Sequence, residues 1–151
     1  MSDLLKDPFV LRQIIMDHYE NPRNHSLTKS SDYIQKHMAS ESCIDDIHVE
    51  VKLEGNVITD VRFDGVACTI STASTSIMSE MMQGKTLQQA RELLEEYKKM
   101  VNGKEYNEEL LEEAVAFSTV WKQANRIKCA TIGWNAMEEI LEESEQHGKQ
   151  Q

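Results

Sequence analysis

Between Ile47 and Phe63 apolar and polar positions alternate with a period of two. Ile47, Val49, Val51 and Leu53 are apolar, and His48, Glu50, Lys52 and Glu54 are polar. After Glu54-Gly55-Asn56 the alternation resumes with Val57, Val61 and Phe63, and Thr59 falls on the same face. Successive strand side chains point to opposite faces, so this pattern predicts a half-buried antiparallel hairpin. Its apolar faces coincide only if paired residue numbers sum to an even value. A two-residue Gly55-Asn56 loop would pair Leu53 with Ile58 and put those faces on opposite sides. A three-residue loop, Glu54 to Asn56, with φ > 0 at Asn56, satisfies parity by pairing 53 with 57 and 47 with 63. Carried to its open end, that ladder sets Cys43 opposite Ala67, next to Cys68, with Cys43 and Asp45 on one face.

Elsewhere the period is helical. Asp7-Pro8 is a helix start, a capping carboxylate followed by proline at the first helical position. Leu11, Ile14, Ile15 and His18/Tyr19 give one stripe, which Asn21-Pro22 stops. Residues 23–41 are polar and aperiodic, so a long loop, mobile over about 23–42, is expected there. Ile70, Ala73, Ile77, Met78 and Met81 mark a helix to Gln83, with Gly84 beyond its end. Its remaining positions, Ser71, Ser74, Thr75, Ser76 and Ser79, are poor helix formers, expected where a neighbour packs closely. Thr86-Leu87-Gln88-Gln89 is a capping box for a helix carrying Leu87, Ala90, Leu93, Leu94, Tyr97 and Val101, closed by Asn102-Gly103. Asn107 caps another through about Phe117, with Leu110, Leu111 and Ala114 inward. After a break around Trp121, Asn125 is the expected cap of the last helix, Arg126 to about Glu143. The tail 144–151 is expected to fray.

Composition narrows the function classes. A chain of 151 residues suits one domain with one core. Sixteen Lys and Arg against 26 Asp and Glu give a net charge of −10. That charge argues against nucleic acid or an anionic membrane as the main partner, and solubility alone would account for it. No apolar run approaches the ~20 residues of a membrane span. The start, Met1 to Asp7, has neither the basic nor the apolar part of a secretory signal. Three cysteines cannot all pair within the chain. A cytoplasmic protein with a thiol or metal role is therefore expected.

Two of the cysteines stand at expected helix starts. Cys68 immediately precedes one helix, and Cys129 falls in the first turn of another if Asn125 is its cap. The positive end of a helix favours a thiolate by ~0.3–1 kcal/mol. Cys43 lies where the polar stretch meets the first strand and has the most freedom. Three thiolates and the Asp45 carboxylate can hold a tetrahedral divalent metal, and zinc is the default for mixed sulfur and oxygen ligation. No C-x-x-C pair is present, so three unrelated core thiols stand as the competing reading. A site of that charge calls for cations. Arg126 shares a helix face with Cys129 and Lys128 adjoins it, although surface ion pairing explains Lys128 equally well. The remaining groups suit blander roles. His48 faces solvent, His18 packs or hydrogen-bonds at a helix end, and His25, His37 and His147 lie in loop or tail. The helically spaced methionines are core filler. No glycine-rich phosphate loop, Ser/His/Asp spacing or basic-aromatic surface is present.

Five segments together carry a resemblance: Ile15-Met16-Asp17-His18-Tyr19-Glu20-Asn21-Pro22-Arg23-Asn24, Cys43-Ile44-Asp45, Phe63-Asp64-Gly65-Val66-Ala67-Cys68-Thr69-Ile70-Ser71, Met82-Gln83-Gly84-Lys85 and Arg126-Ile127-Lys128-Cys129-Ala130-Thr131. With them the chain resembles the SufU type of the IscU/NifU-N iron–sulfur assembly superfamily over nearly all of residues 8–141. Lys128 stands where scaffold-type members usually carry histidine. The long separation of Cys68 from Cys129, holding the extra helical segment around 86–117, also points to the SufU type. The resemblance implies an α+β fold, with a small antiparallel sheet (a hairpin at about 46–64 plus a short extra strand) packed against about five helices. It implies zinc on Cys43, Asp45, Cys68 and Cys129. It further implies persulfide sulfur accepted on Cys43 from a PLP-dependent cysteine desulfurase of the SufS type, and passed to downstream assembly components. In that scheme a desulfurase side chain takes the place of Cys43 on the metal, Asp45 keeps its hold, and Arg126 and Lys128 balance charge or meet the partner. The alternatives are a scaffold that builds a [2Fe–2S] cluster on the same ligands, and a purely structural zinc. The chain departs from the family at Ile44, usually glycine, and at Lys122 to Asn125, which lacks a proline often seen there.

Overall fold

The computed structural model describes residues 3–39 and 44–150, so Cys43 lies outside the described residues. Three antiparallel strands, β1 (Tyr33–Ala39), β2 (Asp46–Glu54) and β3 (Val57–Val66), form a sheet in the order β1-β2-β3. Among the described residues, five α-helices complete the α+β architecture: α1 (Pro8–Glu20), α2 (Thr69–Met82), α3 (Leu87–Val101), α4 (Glu108–Leu111) and α5 (Ala124–Gln150).

The hairpin obeys parity by a different route from the expected one. Its loop is the two-residue turn Gly55-Asn56, with Leu53 opposite Ile58, and Gly55 rather than Asn56 takes a positive φ of +64°. Glycine at the first central position is what a type II′ turn requires. The register then shifts between Lys52 and Leu53, so Lys52 faces Asp60 and Val49 faces Phe63. The extra residue is Thr59, which is exposed, while Ile58 is buried. This bulge restores the even sum, and Ile47 pairs with Gly65 instead of residue 63. The ladder ends at Asp46 opposite Val66.

Part of the expected loop is strand β1. Ile34 and Met38 face the same side as Val51 and Ile47, but Lys36 occupies the inward position between them. Its ammonium pairs with Glu143 on α5, which is how a charged residue sits in that phase at the sheet edge. The preceding residues lie over the other sheet face. Glu50, expected to face solvent, is 1% exposed. Its carboxylate accepts from the Thr28 and Lys29 amides at 2.7 and 2.9 Å.

The inner sheet face, from Ile47 to Phe63, meets α2 and α5 in one core. α2 is buried on nearly every side, and Ser71, Ser74, Thr75, Ser76 and Ser79 are at most 1% exposed, as close packing requires. At Gly133 a Cβ atom would lie 2.3 Å from Thr75 Oγ1, so α5 approaches α2 at a spot only glycine fits. Ser74 Oγ accepts from Trp134 Nε1 at 3.0 Å and donates to the Ala130 carbonyl at 2.6 Å. His18 ties α1 to this helix through Ser76 Oγ at 2.8 Å and reaches Glu113 at 3.0 Å. The set imitates a Ser-His-acid relay, but Ser76 is fully buried, so it fastens elements together.

Two helices differ from expectation. The helix capped by Asn107 breaks after one turn at Glu112, which takes φ +46°. The chain continues as a 3₁₀ segment to Phe117, burying the consecutive residues Ala114 to Phe117, which one face of an α-helix cannot do; Leu110 is left exposed. α5 starts at Ala124, where the Gln123 carbonyl accepts from Arg126 and Ile127, so Asn125 is not its cap. It runs on to Gln150 through the tail expected to fray.

Candidate metal centre

Three short-range decisions converge at the open end of the hairpin. Gly65 has φ +136°, and a Cβ there would lie 2.0 Å from the Asp46 carbonyl oxygen, so only glycine lets β3 end so close to β2. Val66 and Ala67 then deliver Cys68 to the N-cap of α2, where its sulfur accepts from the Ser71 amide at 3.5 Å. Asp45, just before β2, points inward and is 2% exposed. Its Oδ1 accepts from the Cys68 amide at 2.8 Å, and its Oδ2 accepts from the Ser71 hydroxyl.

Cys129 comes to this point from α5. The sulfurs of Cys68 and Cys129 and a carboxylate oxygen of Asp45 lie within 4.8 Å of one another. Tetrahedral zinc, with bonds of about 2.3 Å to sulfur and 2.0–2.2 Å to oxygen, sets its donors roughly 3.5–3.8 Å apart. Cys68 Sγ and Asp45 Oδ2 are 4.0 Å apart. Side-chain rotation would be needed to close the set on an ion, and two sulfurs with a carboxylate suit zinc.

The expected position at a helix start holds for Cys68 but not for Cys129. Because α5 begins at Ala124, Cys129 is in its second turn. Burial pushes its thiol up to about 12, with the Cys68 side chain and the Asp45 charge adding to the rise. A cation at this point would reverse that balance and favour the thiolate.

Asp45, Cys68 and Cys129 are thus brought together, while Cys43 lies outside the described residues. Ile44, the first described residue after it, is 67% exposed, so its bulk meets solvent. Arg126 and Lys128 are exposed on α5. Arg126 lines a groove of about 490 Å³ with Leu11, Arg12, Ile15, Ile70 and Val120. Ser71 is the residue that sequence reasoning assigned only to packing. Its signal was its place three residues after an N-cap cysteine, where its amide and hydroxyl both reach back.

A buried carboxylate and two cysteines meet at the seam of a small antiparallel sheet and its helices in an α+β fold, a donor set that could hold a divalent metal. Residues 11–149 match the NifU-like N terminal domain, and the chain belongs to that family. It is 38% identical over 135 residues to the zinc-dependent sulfurtransferase SufU of Bacillus subtilis, covering 89% of this chain and 90% of that protein. It is 35% identical over 132 residues to the iron–sulfur cluster assembly scaffold protein IscU of Streptococcus pyogenes, covering 87% and 82%. Among solved structures, a candidate iron–sulfur cluster assembly scaffold for the SUF system from Fervidobacterium islandicum superposes with a TM-score of 0.78 at 30% identity, over 93% of this chain and 99% of the other. Among the described residues, no helix is long and apolar enough to cross a membrane.

Proposed function

We propose that this chain is a zinc-dependent sulfurtransferase of cytoplasmic iron–sulfur cluster assembly. It takes persulfide sulfur from a PLP-dependent cysteine desulfurase of the SufS type and hands it to downstream assembly components. The observation that carries this reading is the gathering of Asp45, Cys68 and Cys129 at the end of the segment that bears Cys43. The 38% identity to a zinc-dependent sulfurtransferase supports it.

Cys43, Asp45, Cys68 and Cys129 would hold the zinc, which when bound keeps its sulfur ligands deprotonated at neutral pH and protects them from oxidation. Cys68 and Cys129 are anchored on α2 and α5, and Asp45 is gripped by the Cys68 amide and Ser71. Cys43 is the thiol assigned to transfer. Its thiolate attacks the outer sulfur of the partner's cysteine persulfide. The partner's S–S bond breaks, its cysteine leaves as thiolate, and the outer sulfur, now bonded to Cys43, keeps its proton. One S–S bond replaces another, so no oxidant or reductant is consumed. Ile44 and Val66, 67% and 65% exposed beside this point, offer the partner an apolar contact. Arg126, at the groove, supplies a cation to the partner or to the negative site, and Lys128 shares that role.

Cys43→Ala is expected to abolish persulfide labelling of this chain and stimulation of the desulfurase. Retained stimulation would contradict the role of Cys43. A second reading, a scaffold for a [2Fe–2S] cluster on the same ligands, is favoured by the likeness to IscU scaffold proteins.

A further inference from the structure

The outward face of the sheet holds a second convergence of donors, which sulfur transfer does not use. β1 and β2 pair His37 with His48, and their rings stack with centroids 4.2 Å apart and planes 8° from parallel. Asp46 lies two residues before His48 on the same strand face. Its Oδ1 is 2.6 Å from His37 Nε2 and 3.7 Å from His48 Nε2. The three donor atoms lie within 4.8 Å of one another. We propose that His37, Asp46 and His48 form a second divalent-metal site, separate from the cysteine centre, that takes zinc or a transition ion of similar preference.

Hydrogen bonding alone serves this arrangement badly. Two imidazoles turn toward one carboxylate oxygen, yet only His37 is within hydrogen-bond range of it, and His48 at 3.7 Å is not. A divalent ion satisfies both nitrogens and the oxygen at once. Zinc bonds of about 2.0–2.1 Å at tetrahedral angles put neighbouring donors roughly 3.3 Å apart, which falls between the two observed separations. Two imidazoles and a carboxylate favour zinc, nickel, copper or iron over magnesium and calcium.

The surroundings favour a cation as well. Along β2, His48 is flanked on its own face by Asp46 and Glu50, and across the ladder on β3 it faces Asp64. The basic strand residues of this face, Lys52 and Arg62, stand further along the ladder, with Arg62 opposite Glu50, and Asp64 itself lies 3.4 Å from His25 Nε2. His37, His48 and Asp46 side chains are 50%, 39% and 51% exposed, so water can complete the coordination. The donors project from paired strands, which leaves little backbone ordering to be done on binding. Neighbouring residues serve the two centres from opposite faces: Asp45 points inward to the thiols and Asp46 outward to the histidines. Lacking thiolates and half open to water, the outer site is the weaker and fills second.

The test uses the whole chain carrying one equivalent of zinc, dialysed to equilibrium against rising free zinc. Wild type is expected to take up a second equivalent. H37Q/H48Q is expected to keep the first and lose the second, and Asp46→Asn to bind the second at least about tenfold more weakly. All three side chains are exposed, and circular dichroism is expected to show the variants folded as wild type. In wild type the imidazole nitrogen resonances of His37 and His48 should move with the second equivalent, while those of buried His18 stay. Equal uptake by wild type and H37Q/H48Q, or a second equivalent that leaves both resonances in place, would overturn the proposal and reduce the cluster to an ion pair.

Discussion

Removing the Ser71 hydroxyl should weaken the metal centre without touching a ligand. Ser71 is fully buried, donates to Asp45 Oδ2, and lies 3.3 Å from Cys68 Sγ. Ser71→Ala deletes one oxygen and leaves a buried carboxylate short of one charge-assisted hydrogen bond, a loss of about 1.5–3 kcal/mol in the metal-free fold. Asp45 keeps the Cys68 amide at 2.8 Å, so it stays in place but less firmly oriented. Groups that orient a ligand typically change metal affinity by about 10–100-fold when removed. Competition with a chromophoric zinc chelator at fixed pH reads the affinity, and urea unfolding of metal-free protein reads the stability. Ser76→Ala is the control. It is equally buried on the same helix, but its hydroxyl serves His18 and the Arg23 amide. It should lose about 1 kcal/mol of stability and keep wild-type zinc affinity. Wild-type affinity in Ser71→Ala, or an equal loss in Ser76→Ala, would refute the assignment of Ser71 to holding Asp45.

Three further outcomes are expected. In metal-free protein the Cys129 thiol is raised from 9.0 to about 12, chiefly by burial, so the folded state holds that proton more tightly than the unfolded one. Its contribution is full below about pH 9 and is lost as pH climbs toward 12, so urea midpoints should fall across that window and Cys129→Ala should flatten the fall. Gly133→Ala forces a Cβ to within 2.3 Å of Thr75 Oγ1. It should cost about 1–3 kcal/mol, with Thr75→Ala relieving part of the loss in a double-mutant cycle read by thermal unfolding. Glu50→Ala strands the Thr28 and Lys29 amides, which should cost about 1.5–3 kcal/mol and speed hydrogen exchange at both.

What could be read from the sequence was local and periodic. The caps at Asp7, Cys68, Thr86 and Asn107 are all present, because a capping side chain and its amide lie within three residues of each other. The serine-rich face of α2 correctly announced close packing, made explicit by Gly133 against Thr75. Misses arose where a distant partner decided the outcome. β1 was hidden because Lys36 breaks the alternation, and only Glu143 on α5, 107 positions away, accounts for it. The Thr59 bulge cannot be foreseen from parity, since a two-residue turn plus one extra residue also gives an even sum. At the candidate metal centre, the nearness of Asp45 and Cys68 could be inferred from the hairpin and the N-cap. Cys129 does lie beside Asp45 and Cys68, but not for the expected reason: it stands one turn too deep in α5 for the helix end to explain it. Ser71 and the pairing of His37 with His48 depend on tertiary contact and on strand β1.

The proposed sulfur transfer requires a tightly held zinc rather than a cluster. Its most direct test is metal analysis of chain purified without chelator, followed by anaerobic addition of iron and sulfide. One zinc per chain should survive gel filtration and vanish in Cys68→Ala and Cys129→Ala, and no visible absorption should develop. A stable coloured cluster on the same residues, transferable to an apo-ferredoxin, would contradict it.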